Sequence, residues 1–419
     1  MSSRKRLARL GIAIPEILIP RAGIALEEWS VIACDQFSSD LSYWERTREL
    51  VGESPSTLNM IIPECYLNDG NEEERVRKAN AAMVDYIENG VLETLSPGFL
   101  LVHRSTPHTA RREGLVLALD LESYDFAEDS QSAIRPTEGT IRDRLPPRMA
   151  VRREALLDLP HILVLIDDPE HRVMRAAEAA ALAAGGKLYD FDLMQGGGHI
   201  HGRHLPEAAL DSVAAAFEYL ADRSDLLFAV GDGNHSLASA REIWQEKKRA
   251  GFPEHHPARY ALVEVENVHD AGLHFHPIHR VLFNVDASDL AEYLKRELQF
   301  GTSDDAGGGC FLMVKHDGNQ TSCSIPLTPG KLVAEPLQAA LDAYLEAHPD
   351  AEIDYIHGED AARELTGAAR DRLGLILPEI RKSSFFRRIR EVGPYPRKTF
   401  SIGEAVEKRY YLEARKLGF

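Results

Sequence analysis

The chain has 419 residues and a mass of 46.6 kDa, with 44% hydrophobic and 27% charged residues. That is the composition of a globular protein with room for two or three cores. A formal net charge of −18 argues against sequence-independent binding to nucleic acid, which needs a surplus of lysine and arginine, and no apolar run approaches the roughly 20 residues of a membrane helix. The opening "MSSRKRLARLGIAIPEILIP" is basic and then apolar like a secretory leader, but Pro15, Glu16 and Pro20 interrupt it, which points to the cytoplasm. Cys34, Cys65, Cys310 and Cys323 form no CxxC pair and are expected to be reduced core thiols.

Taken in chain order, "EEERVRKANAAMVDYIENGVLE" (72–93) has helical apolar spacing, and "GFLLVHRS" and "GLVLALDL" read as strands. "YDFAEDSQSAIRPTEGTIRDRLPP" reads as a long loop with Pro and Gly punctuation. Strands and helices then alternate: "HILVLID", the helix of "PEHRVMRAAEAAALAAG", "KLYDFDL", "EAALDSVAAAFEYLADR", "LLFAV", "SLASAREIWQEKKRA" and "RYALVEVEN". The last third offers a helix at "ASDLAEYLKREL", a hairpin of "GCFLMVKHD" and "QTSCSIPL", a helix to about residue 347 and a strand at "RLGLILPEI". The order predicts an α/β protein, with a mixed α+β arrangement as the variant, in three regions: 1–135, 136–285 and 286–419 with a basic tail. Charge is uneven: about +4 over residues 1–22 and about +7 over 381–419. Either the basic ends pack on the acidic body, or the tail "YPRKTFSIGEAVEKRYYLEARKLGF" brings cations to an anionic ligand, with Arg397 and Lys398 followed by an amphipathic helix that docks through Tyr410, Tyr411 and Leu412.

The stretch "FAVGDGNHSLASAREIW" (228–244) carries the strongest local signal. An apolar strand that turns at Gly231-Asp232-Gly233 straight into a helix aims the helix's free N–H groups at whatever lies above the turn, a place where phosphate binds well. The glycines let backbone approach a ligand, Asp232 can take a proton or hold magnesium, and His235 can meet an anion or relay a proton. Equally, Asp232 can simply turn the chain while Asn234 or Ser236 caps the helix.

"GDGNHSLASA" resembles the "ADGHHRYETA"-type signature of the bacterial and archaeal family known as domain of unknown function 1015. The likeness extends to "ACDQFSSDLSYWERTRELVG", "PTEGTIRDRLPPR", "LPHILVLIDDPE", "GGKLYDFDLMQGGGHIHG", "HPIHRVLF", "DYIHGED" and "PRKTFSIGEAVEKRYYLEARK". The turn also resembles, over about fifteen residues, the glycine-histidine-arginine signature of the fold shared by sulfiredoxin, ParB-type partition proteins and free-serine kinases, which implies a core that cradles nucleotide phosphates. Ser236 stands where those proteins usually carry the phosphate-binding arginine, so Arg280, Arg142 or the basic tail is expected to replace it. The resemblance also marks Glu138, in a loop with Thr137, Thr140, Arg142 and Arg144, and Asp35 of "ACDQF".

Of 17 histidines, two groups are tightly spaced: His199, His201 and His204, and His274, His276 and His279. Alternate residues on a strand share a face, so such a pair can reach one zinc, iron or nickel ion; the resemblance keeps His199, His279 and Arg280. Gly196 to Gly198 read either as a mobile lid or phosphate loop or as a plain connection. Together these features lead to a small-molecule enzyme, most concretely a nucleotide-using phosphotransferase working with ATP or ADP and magnesium on a phosphate-bearing ligand. Asp232, His235 and Glu138 would be its catalytic groups, Asp232 also its magnesium ligand, and Gly231, Gly233, Asn234, Ser236, Arg280, Arg142, Arg397 and Lys398 would line the phosphates. The rivals are a metal-dependent hydrolase built on Asp232, His235, His199 and His279, and a metabolite-binding module without turnover.

Overall fold

A computed structural model describes residues 1–67, 70–301, 309–328 and 330–418. The chain is a mixed α/β protein that folds into two compact units, the first made of residues 1–273 and 404–419 and the second of residues 274–403. The sequence boundary near 135 is thereby corrected. Strand Ile134–Pro136 pairs in parallel with Phe228–Asp232, and Tyr260–Asn267 pairs with Arg112–Asp120, so one sheet spans that point.

In the first unit the strands follow one another across this sheet as Ile134–Pro136, Phe228–Asp232, Leu163–Ile166, Tyr260–Asn267, Arg112–Asp120, Gly98–Ser105, Gly198–Pro206 and Lys187–Leu193. Most neighbours are antiparallel; Leu163–Ile166 with Tyr260–Asn267 and Ile134–Pro136 with Phe228–Asp232 are parallel. The two-residue period of a strand sends alternate side chains to opposite faces. Leu101, Leu115 and Leu117 join a core with the helices Arg172–Ala184, Asp211–Ala221 and Asn234–Arg249. Leu100, Val102 and Val116 join a second core with Trp29, Trp44, Tyr410 and Tyr411. Both faces are thus covered, which explains why these strands read as continuous apolar runs.

Two elements differ from the sequence reading. Within the expected loop, Leu145–Arg153 is a helix, which Pro146 and Pro147 favour rather than break because they fall in its first turn, where no amide has a helical partner. The tail forms no amphipathic helix: after a short turn at Ala405–Glu407 it runs extended, and Arg415–Lys416 pairs with Leu157–Asp158. Its tyrosines and Leu412 are buried, and its buried arginines are matched by acids. Arg409 reaches Glu264 and Glu413, and Arg415 reaches Asp158 and the carbonyl of Tyr260. The basic N-terminus also packs on acidic residues, Arg4 on Glu207 and Arg6 on Asp211 and Glu218.

The second unit has its own antiparallel sheet, ordered Gln320–Ser324, Cys310–Lys315, Arg372–Ile376, Phe275–Phe283 and Glu352–His357, with Phe400–Ile402 added beside Phe275–Phe283. The helices Ala287–Leu298 and Ala334–Ala347 supply its core through Leu290, Leu294, Leu337 and Leu341.

Removing one member of a buried ion pair strands its partner's charge in a medium that cannot solvate it, at a cost of about 3–5 kcal/mol. Arg409→Met leaves Glu264 and Glu413 without their guanidinium, so a loss of that size is expected in urea unfolding; a loss under about 1 kcal/mol would show that the tail is held by its apolar residues alone.

Candidate functional site

Strand Phe228–Asp232 leaves the sheet at Gly233, whose φ of 76° lies in the left-handed region that glycine enters freely. The helix Asn234–Arg249 begins at once, and Gly233 offers no side-chain cap. The first amides of the helix therefore face outward without helical carbonyl partners, at the positive end of the helix dipole.

Asp232 stands at this mouth with both oxygens engaged. Oδ1 accepts the Gly233 N–H at 2.9 Å, and Oδ2 lies 3.1 Å from Lys408 Nζ of the tail. The parallel pairing of Ile134–Pro136 brings the Glu138 loop alongside: Thr137 Oγ1 donates to Val230 O at 2.7 Å, and the Ile141 N–H donates to His235 Nε2 at 3.2 Å. That nitrogen is therefore unprotonated. Among the described residues, Asn234 Oδ1 is buried without a hydrogen-bond partner; such an orphaned atom fits a place that accepts a polar ligand.

One turn into the helix, a chain of polar contacts runs away from the mouth. Ser236 Oγ lies 2.8 Å from His161 Nε2, and His161 Nδ1 lies 2.9 Å from the Tyr411 hydroxyl. That hydroxyl donates to Cys34 Sγ at 3.2 Å and accepts the Cys34 N–H at 3.3 Å. The four side chains border a cavity of about 130 Å³ that is otherwise lined mainly by apolar residues, among them Met60, Ile62, Leu157 and Leu159. Burial, with Asp35 adding to it, pushes the Cys34 thiol up to about 12, and burial also lifts the Tyr411 hydroxyl well above its ordinary value. Both stay neutral. Neither Lys408 nor His161 stands out in the sequence; the one available signal is that His161 opens the run "HILVLID", whose strand begins two residues later at Leu163.

The other expected residues lie elsewhere. Arg142 is exposed, its guanidinium 5.4 Å above the Phe126 ring. Asp35 sits beside Cys34 and accepts from Gln36 Nε2 at 3.0 Å. Gly196 to Gly198 do not form a free lid: Arg104 donates to Gly197 O from Nε and Nη2, and Gly198 opens a paired strand where a Cβ would meet the Ser105 carbonyl. His199 has Asp192 Oδ1 at 2.7 Å from Nδ1 and Asp190 Oδ1 at 2.5 Å from Nε2. Those bonds raise the His199 pKa, while Lys187 and His199 hold Asp190 down at about 2. Both ring nitrogens of His199 thus face carboxylate oxygens.

His279, Arg280, Arg397 and Lys398 belong to the second unit. Arg280 is buried, bonded to Ile278 O and Gln338 Oε1 and set over the Tyr355 ring; burial lowers it to about 10. Arg397 and Lys398 are exposed. His279 Nδ1 accepts the Leu377 N–H at 3.1 Å.

A family described as "Protein of unknown function (DUF1015)" matches residues 18–344. No curated protein matches the chain. Solved structures similar to it include a conserved hypothetical protein from Pyrococcus furiosus, at 12% identity and a TM-score of 0.37, covering 72% of this chain and 95% of that one. Free serine kinase in complex with AMP is similar at 12% identity and a TM-score of 0.40, covering 72% and 92%. SbnI with a C-terminal truncation, from Staphylococcus aureus, is similar at 10% identity and a TM-score of 0.33, covering 69% and 82%.

Burial lowers the His279 imidazole from 6.5 to about 4, against the pull of Glu359 and with help from Arg280 and His357. The folded state keeps this ring neutral while the unfolded chain protonates it, so its contribution is complete above about 6.5 and is lost as pH falls toward 4, on the order of 3 kcal/mol. His279→Asn keeps an acceptor for the Leu377 amide, and its denaturation midpoint is expected to fall less steeply over that window; an unchanged slope would clear His279 of the effect.

Proposed function

The chain belongs to the DUF1015 family, and on that premise we propose that it is a small-molecule enzyme of the phosphotransferase class, which binds a nucleotide such as ATP or ADP at the mouth of the helix Asn234–Arg249. The observation that supports this reading is the Asp232–Lys408 pair, at 3.1 Å, set beside the uncapped first turn of that 16-residue helix. An anionic phosphoryl group is favoured there twice, by the outward amides and by the Lys408 ammonium. As Lys408 turns to phosphate oxygens, Asp232 Oδ2 is released, while the Gly233 amide keeps Oδ1 and so the orientation of the carboxylate.

In the transfer step the acceptor's hydroxyl oxygen attacks phosphorus, the bond from phosphorus to the leaving phosphate oxygen breaks, and Asp232 Oδ2 takes the hydroxyl proton. His235, held by the Ile141 amide, and Glu138 on the same loop would serve the acceptor hydroxyl. Magnesium prefers carboxylate and phosphate oxygens; Asp232 and the orphaned Asn234 Oδ1 fit that donor set, and the ion would supply charge neutralisation of the transferring group. Arg280, Arg397 and Lys398 have no part in this reading.

A ligand that binds only the folded state stabilises it by about 2.7 kcal/mol at a hundredfold excess over Kd. ATP or ADP with magnesium is therefore expected to raise the thermal midpoint of the wild type by several degrees. Lys408→Met should abolish the shift, whereas Asp232→Asn should keep part of it and lose transfer of labelled phosphate. If no nucleotide, with or without magnesium, moves the wild-type midpoint, the reading fails.

A further inference from the structure

Next to the helix mouth, Ser236 and His161 meet as a nucleophile and a base. The proton directions around them close in a self-consistent way. In the arrangement where the Tyr411 hydroxyl donates to Cys34 Sγ and accepts the Cys34 N–H, the contact at 2.9 Å to His161 Nδ1 has the imidazole as donor. Nδ1 thus carries the ring proton, and Nε2 is left as an acceptor for the Ser236 hydroxyl at 2.8 Å. This is the tautomer a general base needs, set by a third side chain behind it. The Tyr411 ring also abuts the imidazole edge-on, with ring centroids 5.5 Å apart, which limits its rotation.

The space in front of the serine is mainly apolar, with the Glu64–Arg148 ion pair and Arg152 also on its wall. The cavity of about 130 Å³ that Ser236 shares with His161 is walled by Met60, Ile62, Leu157 and Leu159, and a dry cavity of about 150 Å³ holds a benzene ring. A short acyl chain fits such a space.

We propose that Ser236 is a catalytic nucleophile, with His161 as its general base and Tyr411 as the positioning residue behind it, in an activity that cleaves carboxylic esters of short acyl groups seated in this cavity. Ser236 Oγ attacks the carbonyl carbon as its proton passes to His161 Nε2. The bond to the alkoxy oxygen then breaks, and the departing alcohol takes that proton. Water attacks the resulting acyl-serine, giving one proton to His161 and through it to Ser236 Oγ, and the carboxylic acid leaves. The first-turn position of Ser236 in the helix Asn234–Arg249 puts the oxyanion near a positive dipole end. The activity needs no nucleotide and stands apart from the phosphotransferase reading.

The test is covalent and is read on the full-length wild-type chain. An ethyl fluorophosphonate, followed by intact-mass measurement and peptide mapping, is expected to give a single adduct at Ser236, and p-nitrophenyl butyrate should release a burst of about one nitrophenol per chain. His161→Gln, which can still hydrogen-bond, should slow labelling by about 100-fold or more with its thermal midpoint retained. An absent adduct, an adduct on another residue, or a His161→Gln variant labelled at the wild-type rate overturns the proposal. Each of these results is independent of the nucleotide shift that tests the phosphotransferase reading.

Discussion

Buried guanidinium groups that hold the C-terminal segment in the first unit set the conditions for everything else in the site. Arg104 donates to the carbonyls of Val406, Glu407 and Lys408, and Arg112 adds a bond to Glu407 O. Arg409 and Arg415, carried by the segment itself, reach Glu264, Glu413 and Asp158. Taking so many charges out of water is expensive unless their N–H groups find acceptors, and a segment kept extended offers its carbonyls where a helix would consume them internally. The same demand fixes the backbone from the other side: the Tyr411 N–H donates to Val31 O, and Trp29 Nε1 donates to Leu412 O.

The segment crosses the sheet along one register row. Asp232 pairs with Leu163, and Leu163 pairs with Glu264, so the ends of two strands and the middle of a third, far apart in the sequence, lie side by side. Lys408 meets Asp232, Arg409 meets Glu264, and Tyr411 meets His161, two residues before Leu163. A single run of four residues therefore completes both the acid–cation pair at the helix mouth and the orienting contact behind Ser236. Sheet register supplies the acidic and imidazole halves, and the segment supplies their partners.

This arrangement explains which parts of the site were legible in the sequence. The turn at Gly231 to Gly233 was legible because its cause is local: an apolar run, two glycines and the onset of helical periodicity sit within about ten residues. The meeting of the Glu138 loop with that turn was marked only by resemblance, since it rests on a parallel pairing of strands more than ninety residues apart. The meetings of Lys408 with Asp232 and of Tyr411 with His161 were invisible for the same reason carried further. The tail also misled: "EKRYYLEARK" has the charge and aromatic spacing of an amphipathic helix, and only the buried acids waiting at Glu264 and Asp158 make an extended course cheaper. Arg280 and His279 were legible as unusual residues, but their environment in the second unit gives them structural partners. The basic tail was read as a source of cations for an anionic ligand, and the cation found at the turn is Lys408, ten residues beyond Lys398.

The same rack limits how the site can respond to a ligand. An anion at the helix mouth competes with Asp232 for Lys408, and a lysine side chain can swing between such partners because its ammonium is a point charge on a flexible stem. Its main chain cannot follow, since the Lys408 carbonyl is held by Arg104 and the next residue is locked between two buried carboxylates. Rearrangement on binding is thereby confined to one side chain, while Tyr411, three residues on, keeps its grip on His161. Charge can move at the mouth of the helix without disturbing the ring that Ser236 faces, and a tail held at its main chain while one lysine side chain turns is compatible with both proposed activities.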